Sequence, residues 1–481
     1  MIFVDTNDRE DLSIATSFVH DPNMILSNVF ERYVKMAPIS VMARTLMEVA
    51  LAPEDLDALF DQHTDRQYTR SLLFSTMVDL MGVVVSKSRP SIHAAFQEVK
   101  ETLPVSLTAV YDKLNGLESA VTSALVRHSA AKMAPVIVAM KGQLPPLLPG
   151  YRTKIIDGNH LAATQRRLKV LKRSKAGPLP GHSLVVLDPE LMLATDMIPC
   201  EDGHAQERSL SPEILARVSK QEVWIADRNF CTTALLFGIA ERDAFFVIRH
   251  HANLTLEPLE ALKKRGQTET GEVSEQMVAV TNSDGKVLKL RRVVIRLDAP
   301  TRDGDREMDI LTNLPKGVAD ATRVSEVYRT RWTVETMFQS LTQMLEGEID
   351  TLGYPRAALF GFSVALATYN VLSTVQAALR AKFGVEKIQE EVSAFYIALE
   401  VQASHPGMEI VFDPEVWEPF PKMSPKALGK EMLEWAAHVK LSKYQRHPRG
   451  PKKPVPKRTR FVDKMHVSTA RLLEKSRKKS P

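Results

Sequence analysis

Three acidic residues of this chain stand at positions where carboxylates can do chemistry. Asp157 and Asp227 each follow a short apolar run that is typical of a β-strand. A charged side chain at the end of a buried strand is costly unless it is paired or binds a metal ion. Glu335 lies in a helix-like segment, seven residues after Tyr328 and four after Arg331. This spacing predicts that one helix face carries all three side chains.

Carboxylates from two neighbouring strands and a helix predict a site for two Mg²⁺ ions, ~3.5–4 Å apart, of the kind used for in-line phosphoryl transfer. Tyr328 and Arg331 suit phosphate oxygens. Each residue alone also has a plainer interpretation. An aspartate at a strand end is more often a turn former, and a Tyr-Arg-Glu helix face is more often an exposed ion pair. The order of the three acids, spaced by 70 and then 108 residues, favours one common site.

The elements around the two aspartates follow a recognisable order. Residues 182–200 predict a hairpin that turns at Asp188 and Pro189, and residues 211–221 predict a helix with Ser211 as its N-cap. With the strands before and after them, they give the order strand-strand-strand-helix-strand-helix-strand. This order resembles the core of the ribonuclease H-like fold and predicts an α/β protein.

The remaining composition divides the chain into regions. The predicted regions are an N-terminal all-helical domain at 1–141, a Pro- and Gly-rich linker at 142–152, a first part of the catalytic core at 153–251, a β-rich insertion at 252–316, a second part of the core with the Glu335 helix at 317–383, a mostly helical region at 384–439 and a basic, flexible tail at 440–481.

Membrane and secretory classes are disfavoured. Residues 357–379 carry no charge over 23 residues, enough to span a bilayer, but six polar side chains among them favour a core helix. The N-terminus lacks the basic region of a signal peptide. Two cysteines cannot build a disulfide framework, and a reducing cytoplasm is expected.

The charge distribution predicts a polyanionic partner. The net charge is +5, but residues 440–481 hold 15 Lys and Arg against two acids, which leaves −8 on the rest. Such a tail most often binds nucleic acid, with a membrane surface or a solvated terminus as alternatives. A second basic run, 164–177, has six Lys and Arg and no acid. It is expected to contact DNA phosphates or else to be a solvated connector; its candidate contacts are Arg166, Arg167, Lys169, Lys172 and Arg173. The basic residues of 289–296, Arg291 among them, have two equally good interpretations: they contact DNA, or they form a solvated strand face.

These motifs resemble those of bacterial insertion-sequence transposases of the DDE type, in the IS-four branch. That family carries the pattern Y-x2-R-x3-E-x6-K, and this chain has Tyr328, Arg331 and Glu335 at the matching spacing. Thr342 stands where the lysine is expected. The segments IIDGNHL, IADRNF and HVSTARLL also match the style of the family.

The resemblance implies a function and a set of roles. Asp157, Asp227 and Glu335 would form a metal-binding catalytic triad that uses Mg²⁺ or Mn²⁺. Water would cut the phosphodiester at each element end, and the freed 3′-hydroxyl would attack target DNA. Tyr328 and Arg331 would hold the DNA backbone, and Arg228 would contact a phosphate. The implied partners are double-stranded DNA, as terminal inverted repeats and target, and a second copy of the chain in a synaptic homodimer, with the protein cytoplasmic and associated with the nucleoid.

The sequence is also compatible with other functions. A ribonuclease H-like nuclease would cut without joining, and a decayed or domesticated protein would bind DNA without catalysis. An RNA-associated protein would rest on the tail alone. The loss of the lysine at Thr342 is expected to weaken end binding more than chemistry, with Gln339 and Gln343 as partial substitutes. No tryptophan lies in 252–316, so a hairpin step that needs one there is left open.

Overall fold

The computed structural model describes residues 28–67, 71–162, 164–165, 167–172, 176–301, 304–447 and 465–478. The predicted DNA contacts Arg166 and Arg173 lie outside these residues, as does segment 448–464 of the basic tail.

Helices make up the first and last thirds of the described chain. The helices before the first strand are α1 Asn28–Met36, α2 Pro38–Ala50, α3 Pro53–His63, α4 Phe74–Val85, α5 Ile92–Val99, α6 Leu107–Gly116 and α7 Ser119–Met140. Those that follow it are α8 Lys169–Lys172, α9 Ser211–Leu215, α10 Thr233–Ala240, α11 Ala321–Arg329, α12 Trp332–Met344, α13 Pro355–Phe383, α14 Val385–Glu391, α15 Ala394–Val411, α16 Pro425–Ala436 and α17 Thr469–Arg477.

The strands are concentrated in the middle of the chain. They are β1 Arg152–His160, β2 Gly177–Leu179, β3 His182–Asp188, β4 Leu193–Cys200, β5 Glu222–Ala226, β6 Phe245–Arg249, β7 Glu257–Pro258, β8 Lys263–Thr268, β9 Gly271–Thr281, β10 Val287–Leu297, β11 Glu307–Thr312 and β12 His466–Ser468. With the helices, they confirm the predicted α/β class and the N-terminal helical region.

One mixed sheet organises the molecule. Its strands run in the order β4-β3-β1-β5-β6-β11-β10-β9-β7, and β8 also pairs with β9. Strands β1, β5 and β6 are parallel neighbours, whereas β3 and β4 form the predicted antiparallel hairpin beside β1. The strands between residues 252 and 316 extend the same sheet beyond β6, through antiparallel pairing of β6 with β11. The parallel strands therefore lie in the middle of the sheet.

Alternation along the central strands builds a core on each face of the sheet. Ile155 and Ile225 belong to the large cluster that includes α7 and α13, whereas Ile156 and Trp224 belong to a smaller cluster with α9 and α10. Successive side chains of a strand point to opposite faces, so a run of apolar residues is expected in a strand covered on both sides. The acid that follows Ile156 therefore faces the side of the large cluster.

Helix α13 is the central helix of the protein. By length and composition it could cross a membrane, but its apolar stretch is fully buried inside the protein, as expected for a core helix. Asn370 donates to the Ser129 hydroxyl and the Ala194 carbonyl at 2.9 Å each, and accepts from the Ala194 N–H at 2.8 Å. This buried amide joins α13 to α7 and to β4.

The N-terminal helices share their core with the C-terminal region. Phe30 of α1 meets the rings of Phe412, Trp417, Phe420 and Trp435 at centroid distances of 5.4 to 6.3 Å. Aromatic contacts of this kind bury large apolar areas. Helix α1 is therefore packed against the region from Phe412 to Trp435.

Two predicted helices differ in detail. Ser211 is the first helical residue of α9 rather than its cap, and α9 ends at Leu215. The helix-like segment predicted to carry Tyr328, Arg331 and Glu335 on one face is divided into α11 and α12. Around the junction the Thr330 hydroxyl donates to the Val327 carbonyl at 2.7 Å, and the backbone bonds tighten to the i+3 pattern. Tyr328 and Glu335 consequently lie on two successive helices.

Part of the predicted flexible tail is folded. Strand β12 pairs in parallel with β2, and Ser468 caps α17 by accepting from the Arg471 N–H. Arg471 also pairs with Asp202 at 2.7 Å. These contacts correct the expectation of an extended tail for residues 466–477, because they tie this segment to the loop after β4.

Candidate active site

Asp157 lies just beyond the point where β1 stops pairing with β5. Its backbone pairs with Val185 of β3, but the parallel pairing with β5 ends at Ile155. The Gly158 N–H donates to Asp157 Oδ1 at 2.9 Å, which orients the carboxylate. The opening between β1 and β5 at the carboxyl ends of parallel strands is a usual place for a ligand site in α/β sheets.

Asp227 lies at the corresponding end of β5. It directly follows the strand and caps a short 3₁₀ turn, Arg228–Phe230, by accepting the Asn229 N–H at 2.8 Å. The same cap fixes the direction of its carboxylate. Asp157 and Asp227 are thus presented by neighbouring parallel strands at one edge of the sheet.

Arg331 joins Asp157 to Glu335. Its Nη1 donates to Asp157 Oδ2 at 3.0 Å, and its Nη2 donates to Glu335 Oε1 at 2.7 Å. Arg331 is only 8 % exposed, and among the residues that the structure describes its Nε has no hydrogen-bond partner. A carboxylate of β1 and one of α12, far apart in the sequence, therefore meet at one buried cation.

The environment of Asp157 disfavours its charged form. Burial is the main cause that raises the pKa of this carboxyl to about 7, and the nearby Asp227 and Glu207 carboxylates raise it further. The Arg331 charge and the Gly158 N–H act in the opposite direction. A carboxylate with a strongly shifted pKa, beside other acids and at the end of a strand, is typical of a functional site.

Tyr328 supports the site from inside the protein. It is 4 % exposed, and burial raises the pKa of its phenol to about 12, so the group stays protonated beside Arg331. In this arrangement the phenol faces the guanidinium rather than solvent. The predicted DNA contact through Tyr328 stays a prediction, whereas its contact with Arg331 is direct.

A cavity of about 520 Å³ lies beside the turn that follows Asp227. Arg228 and Arg208 line it together with Glu207, Thr232 and Asn253. Arg228 is predicted from the sequence, whereas Arg208 and Glu207 are not, because these two lie in the loop between β4 and α9, where no motif marks them. Two arginines and several hydrogen-bonding side chains suit an anionic, hydrogen-bonding ligand.

An exposed aromatic residue stands at the rim of the site. Trp332 is 56 % exposed, and the Arg331 guanidinium lies 5.0 Å from the centre of its ring. A large exposed ring beside a cation offers a surface on which a nucleic-acid base can stack. Its place directly after Arg331 in the sequence is the signal that could have identified it.

The basic run after β1 is partly described. Arg167, Lys169 and Lys172 are exposed, and Arg167 donates to Gln165 Oε1 at 3.1 Å. Gln165 in turn donates to Asp350 at 2.7 Å, which fixes the loop against the segment before α13. These three cations lie on the surface but have no direct contact with the Asp157 carboxylate.

Arg291 is not part of a solvated strand face. It is 4 % exposed and donates to Glu275 at 2.6 Å and to the Leu314 and Ala319 carbonyls at 2.9 and 2.8 Å. The alternation of β10 turns this residue inward, where a buried charge needs such partners. The interpretation of Arg291 as an exposed cation is therefore wrong.

A lysine from the turn after α4 lies near the position of the missing lysine. Thr342 is exposed and its hydroxyl donates to the Phe338 carbonyl at 3.1 Å. Lys87, just after α4, donates to the Thr342 and Gln343 carbonyls at 3.3 and 3.1 Å. Its ammonium group therefore caps the end of α12, beside the place where the sequence pattern expects a lysine.

The donor set suits a hard divalent cation in its chemistry. Asp157, Asp227 and Glu335 offer carboxylate oxygens, the preferred ligands of Mg²⁺ and Mn²⁺. Within the described ranges, however, no three His, Cys, Asp or Glu side chains are grouped closely enough to hold an ion. Instead, the Arg331 guanidinium is paired with one oxygen of Asp157 and one oxygen of Glu335. The fit of these residues to the ion is therefore one of ligand chemistry.

Comparison with known proteins gives the family of the central region. A probable transposase for insertion sequence element IS5377 of Geobacillus stearothermophilus is 27 % identical over 161 residues, 34 % of this chain and 40 % of that relative. The match thus spans less than half the length of the relative. A piggyBac transposase synaptic complex with hairpin DNA covers 80 % of this chain and 84 % of its own, with 10 % identity and a TM-score of 0.35, too low for an argument. Residues 150–370, a little under half of the chain, match the family model of the transposase DDE domain, so this region is similar to that family.

Proposed function

We propose that this protein is a DNA transposase of the IS-four branch, which cuts DNA at the ends of an insertion sequence and joins the 3′-hydroxyl to target DNA. The observation that carries the proposal is the meeting of Asp157 and Glu335 at Arg331, inside a transposase DDE domain. Asp157 lies 174 residues before Arg331, whereas Arg331 and Glu335 are neighbours on the chain, in the order that the transposase pattern requires.

The order of the central strands supports a ribonuclease H-like core. The antiparallel hairpin of β3 and β4 flanks β1, and the parallel strands β5 and β6 follow on its other side. In this proposal the strands from 252 to 316 are an insertion into the core, and α12 carries the third acid back to β1. The regional boundaries given above belong to the same proposal.

Divalent-metal chemistry follows from the DDE domain family. We assign the metal-binding role to Asp157, Asp227 and Glu335, with Mg²⁺ or Mn²⁺ as the ion. Bound ions would polarise the scissile phosphate and stabilise the attacking and leaving oxygens. The protein's own residues orient this site: Gly158 and Asn229 hold the two aspartates, and Arg331 is placed to exchange its carboxylate partners for a phosphate.

The charges around the site support a path for DNA. Arg228 and Arg208 line the cavity beside Asp227, and Trp332 lies exposed on the side of α12. The exposed Arg167, Lys169 and Lys172 add phosphate contacts farther out, and Arg166 and Arg173 belong to the same basic run. We assign end recognition to the N-terminal helical region.

The proposed partners are the terminal inverted repeats and target DNA. Synapsis of two ends calls for a homodimer in the working complex, acting on DNA of the nucleoid in the cytoplasm. Affinity that comes from phosphate contacts is expected to fall steeply with salt.

The test is a joining assay with purified full-length protein. A labelled duplex that carries the element's own terminal repeat is incubated with supercoiled plasmid and Mg²⁺. Asp227→Asn is compared with Asp243→Asn, a matched change at an exposed aspartate paired with Lys220. The proposal expects joined products from the wild type and the control, and none from Asp227→Asn.

Other results favour the alternatives. Cut ends that are never joined to the plasmid indicate a nuclease. DNA that is bound but not cut, equally by wild type and Asp227→Asn, indicates a DNA-binding protein without catalysis. Either result contradicts the transposase proposal.

A further inference from the structure

Glu207 occupies a central position that no sequence motif marks. It begins a short 3₁₀ turn, Glu207–Leu210, between β4 and α9, and it is half-buried. Its carboxylate enters the gap between the ends of β1 and β5. Two contacts there connect it to both aspartates of the site.

The first contact leads to Asp227. Asn229 Nδ2 donates to Glu207 Oε2 at 3.3 Å, while the backbone N–H of the same Asn229 donates to Asp227 Oδ1 at 2.8 Å. One residue is therefore held by Glu207 through its side chain and holds Asp227 through its backbone. Movement of Glu207 would release the turn that orients Asp227.

The second contact leads to Asp157. A Cβ atom on Gly158 would lie 1.9 Å from Glu207 Oε1, so the Glu207 carboxylate lies directly against the glycine backbone. The Gly158 N–H donates to Asp157 Oδ1 at 2.9 Å. Gly158 belongs to a regular strand, so the close approach of Glu207, rather than a turn, explains the need for a glycine there.

We propose that Glu207 is a positioning residue that fixes Asp157 and Asp227 relative to each other. It lies over Gly158 and binds Asn229, the two residues whose backbone N–H groups hold the aspartates. The inference rests on the proposed function, in which these aspartates bind divalent metal ions. Glu207 acts through its neighbours and needs a hydrogen-bond acceptor more than a charge.

The effect of its removal follows from this role. Loss of a residue that orients metal ligands typically costs ~10–100-fold in metal affinity. Glu207→Ala is expected to weaken Mn²⁺ binding at least ~10-fold, in the lower part of that range. Glu207→Gln keeps an acceptor oxygen for Asn229 and is expected to stay within ~3-fold of wild type.

Gly158→Ala provides an independent perturbation of the same contact. Its new methyl group meets the end of a flexible side chain, so the strand can fold while the Glu207 carboxylate is pushed aside. We expect a loss of Mn²⁺ affinity similar to that of Glu207→Ala. The double variant is expected to be no weaker than either single variant, because both remove one shared interaction.

The experiment measures Mn²⁺ affinity of the full-length protein without DNA, by electron paramagnetic resonance of the free ion. Glu213→Ala, an exposed glutamate of the neighbouring α9, is the matched control and is expected to bind as wild type does. Circular dichroism melting checks that each variant is folded. Asp157→Asn and Asp227→Asn report the metal site itself.

The outcomes distinguish failure of the positioning role of Glu207 from failure of the proposed metal site. Wild-type Mn²⁺ affinity in Glu207→Ala overturns the positioning role. An equal loss of Mn²⁺ affinity in Glu207→Gln and Glu207→Ala also overturns it, because Glu207 would then be a metal ligand. Additive losses in the double variant also overturn it. If instead the wild type binds no Mn²⁺, or Asp157→Asn and Asp227→Asn bind as well as wild type, the metal site of the proposed function fails.

Discussion

Asp157 is expected to make the protein less stable as the pH rises. Its carboxyl has an ordinary pKa of 3.8, which the folded environment raises to about 7. Between these values the folded state keeps a proton that the unfolded state has lost, so the free energy of unfolding falls as the pH increases. Above the folded pKa both states are ionised, and the stability difference is constant.

The size of this effect follows from the pKa difference. Each unit is equivalent to roughly 1.4 kcal/mol, so a shift from 3.8 to about 7 corresponds to ~4 kcal/mol. The side chain is 16 % exposed, so screening by solvent reduces this value only slightly. Asp157→Asn removes the titration and keeps an oxygen that can accept from the Gly158 N–H.

The assay is urea unfolding of wild type and Asp157→Asn from pH 4 to pH 8. The stability of the variant relative to wild type is expected to rise by ~4 kcal/mol across this interval, with most of the change complete at about pH 7. Asp112→Asn, at an exposed residue of α6, controls for general effects of the substitution. A relative stability that is independent of pH, or that falls as the pH rises, would show that the folded state does not raise the pKa of Asp157.

Three further predictions concern individual contacts. Glu275→Ala leaves the buried Arg291 charge without its acid and is expected to lower the free energy of unfolding by ~3–5 kcal/mol. Glu307→Ala, in an exposed pair of the same sheet, is expected to change it by less than ~1 kcal/mol. Equal losses for the two variants in urea unfolding would contradict this expectation. Trp332→Ala is expected to weaken binding of single-stranded or distorted DNA ends by ~1–3 kcal/mol in a fluorescence titration, without loss of thermal stability; unchanged binding would show that no base stacks on this ring. Lys87 lies beside the position where the family pattern has its lysine, so it is expected to contact one DNA phosphate. Lys87→Asn is expected to reduce the salt slope of DNA binding by about 1, and asparagine tolerates the left-handed backbone at this position, where φ is 62°. An unchanged slope would assign Lys87 to helix capping alone.

Local patterns predicted the central strands well. The apolar runs before Asp157 and Asp227, and the hairpin at Asp188, have the period and turn chemistry of strands, and the structure confirms them. These elements depend on neighbouring residues, so the sequence contains the necessary information. The split between α11 and α12 was missed, because it depends on the hydroxyl of Thr330 and on the geometry of one turn.

The contacts that complete the site are set by tertiary packing. Glu207 meets Asn229 and Gly158 across 22 and 49 residues of the chain, and nothing in their spacing announces the contact. The exposure of Trp332 depends on how α12 packs. The inward direction of Arg291 depends on the register of β10, which a sequence rich in basic residues does not reveal.

The most direct test of the account is strand transfer from pre-cut 3′-hydroxyl ends, which bypasses the first cleavage. The rate of joining in Mg²⁺ is measured for wild type, for Glu335→Gln and for Glu326→Gln, a matched control at an exposed glutamate of α11 that pairs with Arg323. We expect at least a ~100-fold loss for Glu335→Gln, because the substitution removes a carboxylate that holds the ions, and a rate near wild type for the control. Joining by Glu335→Gln at the wild-type rate would contradict the central claim that Glu335 completes the site with Asp157 and Asp227.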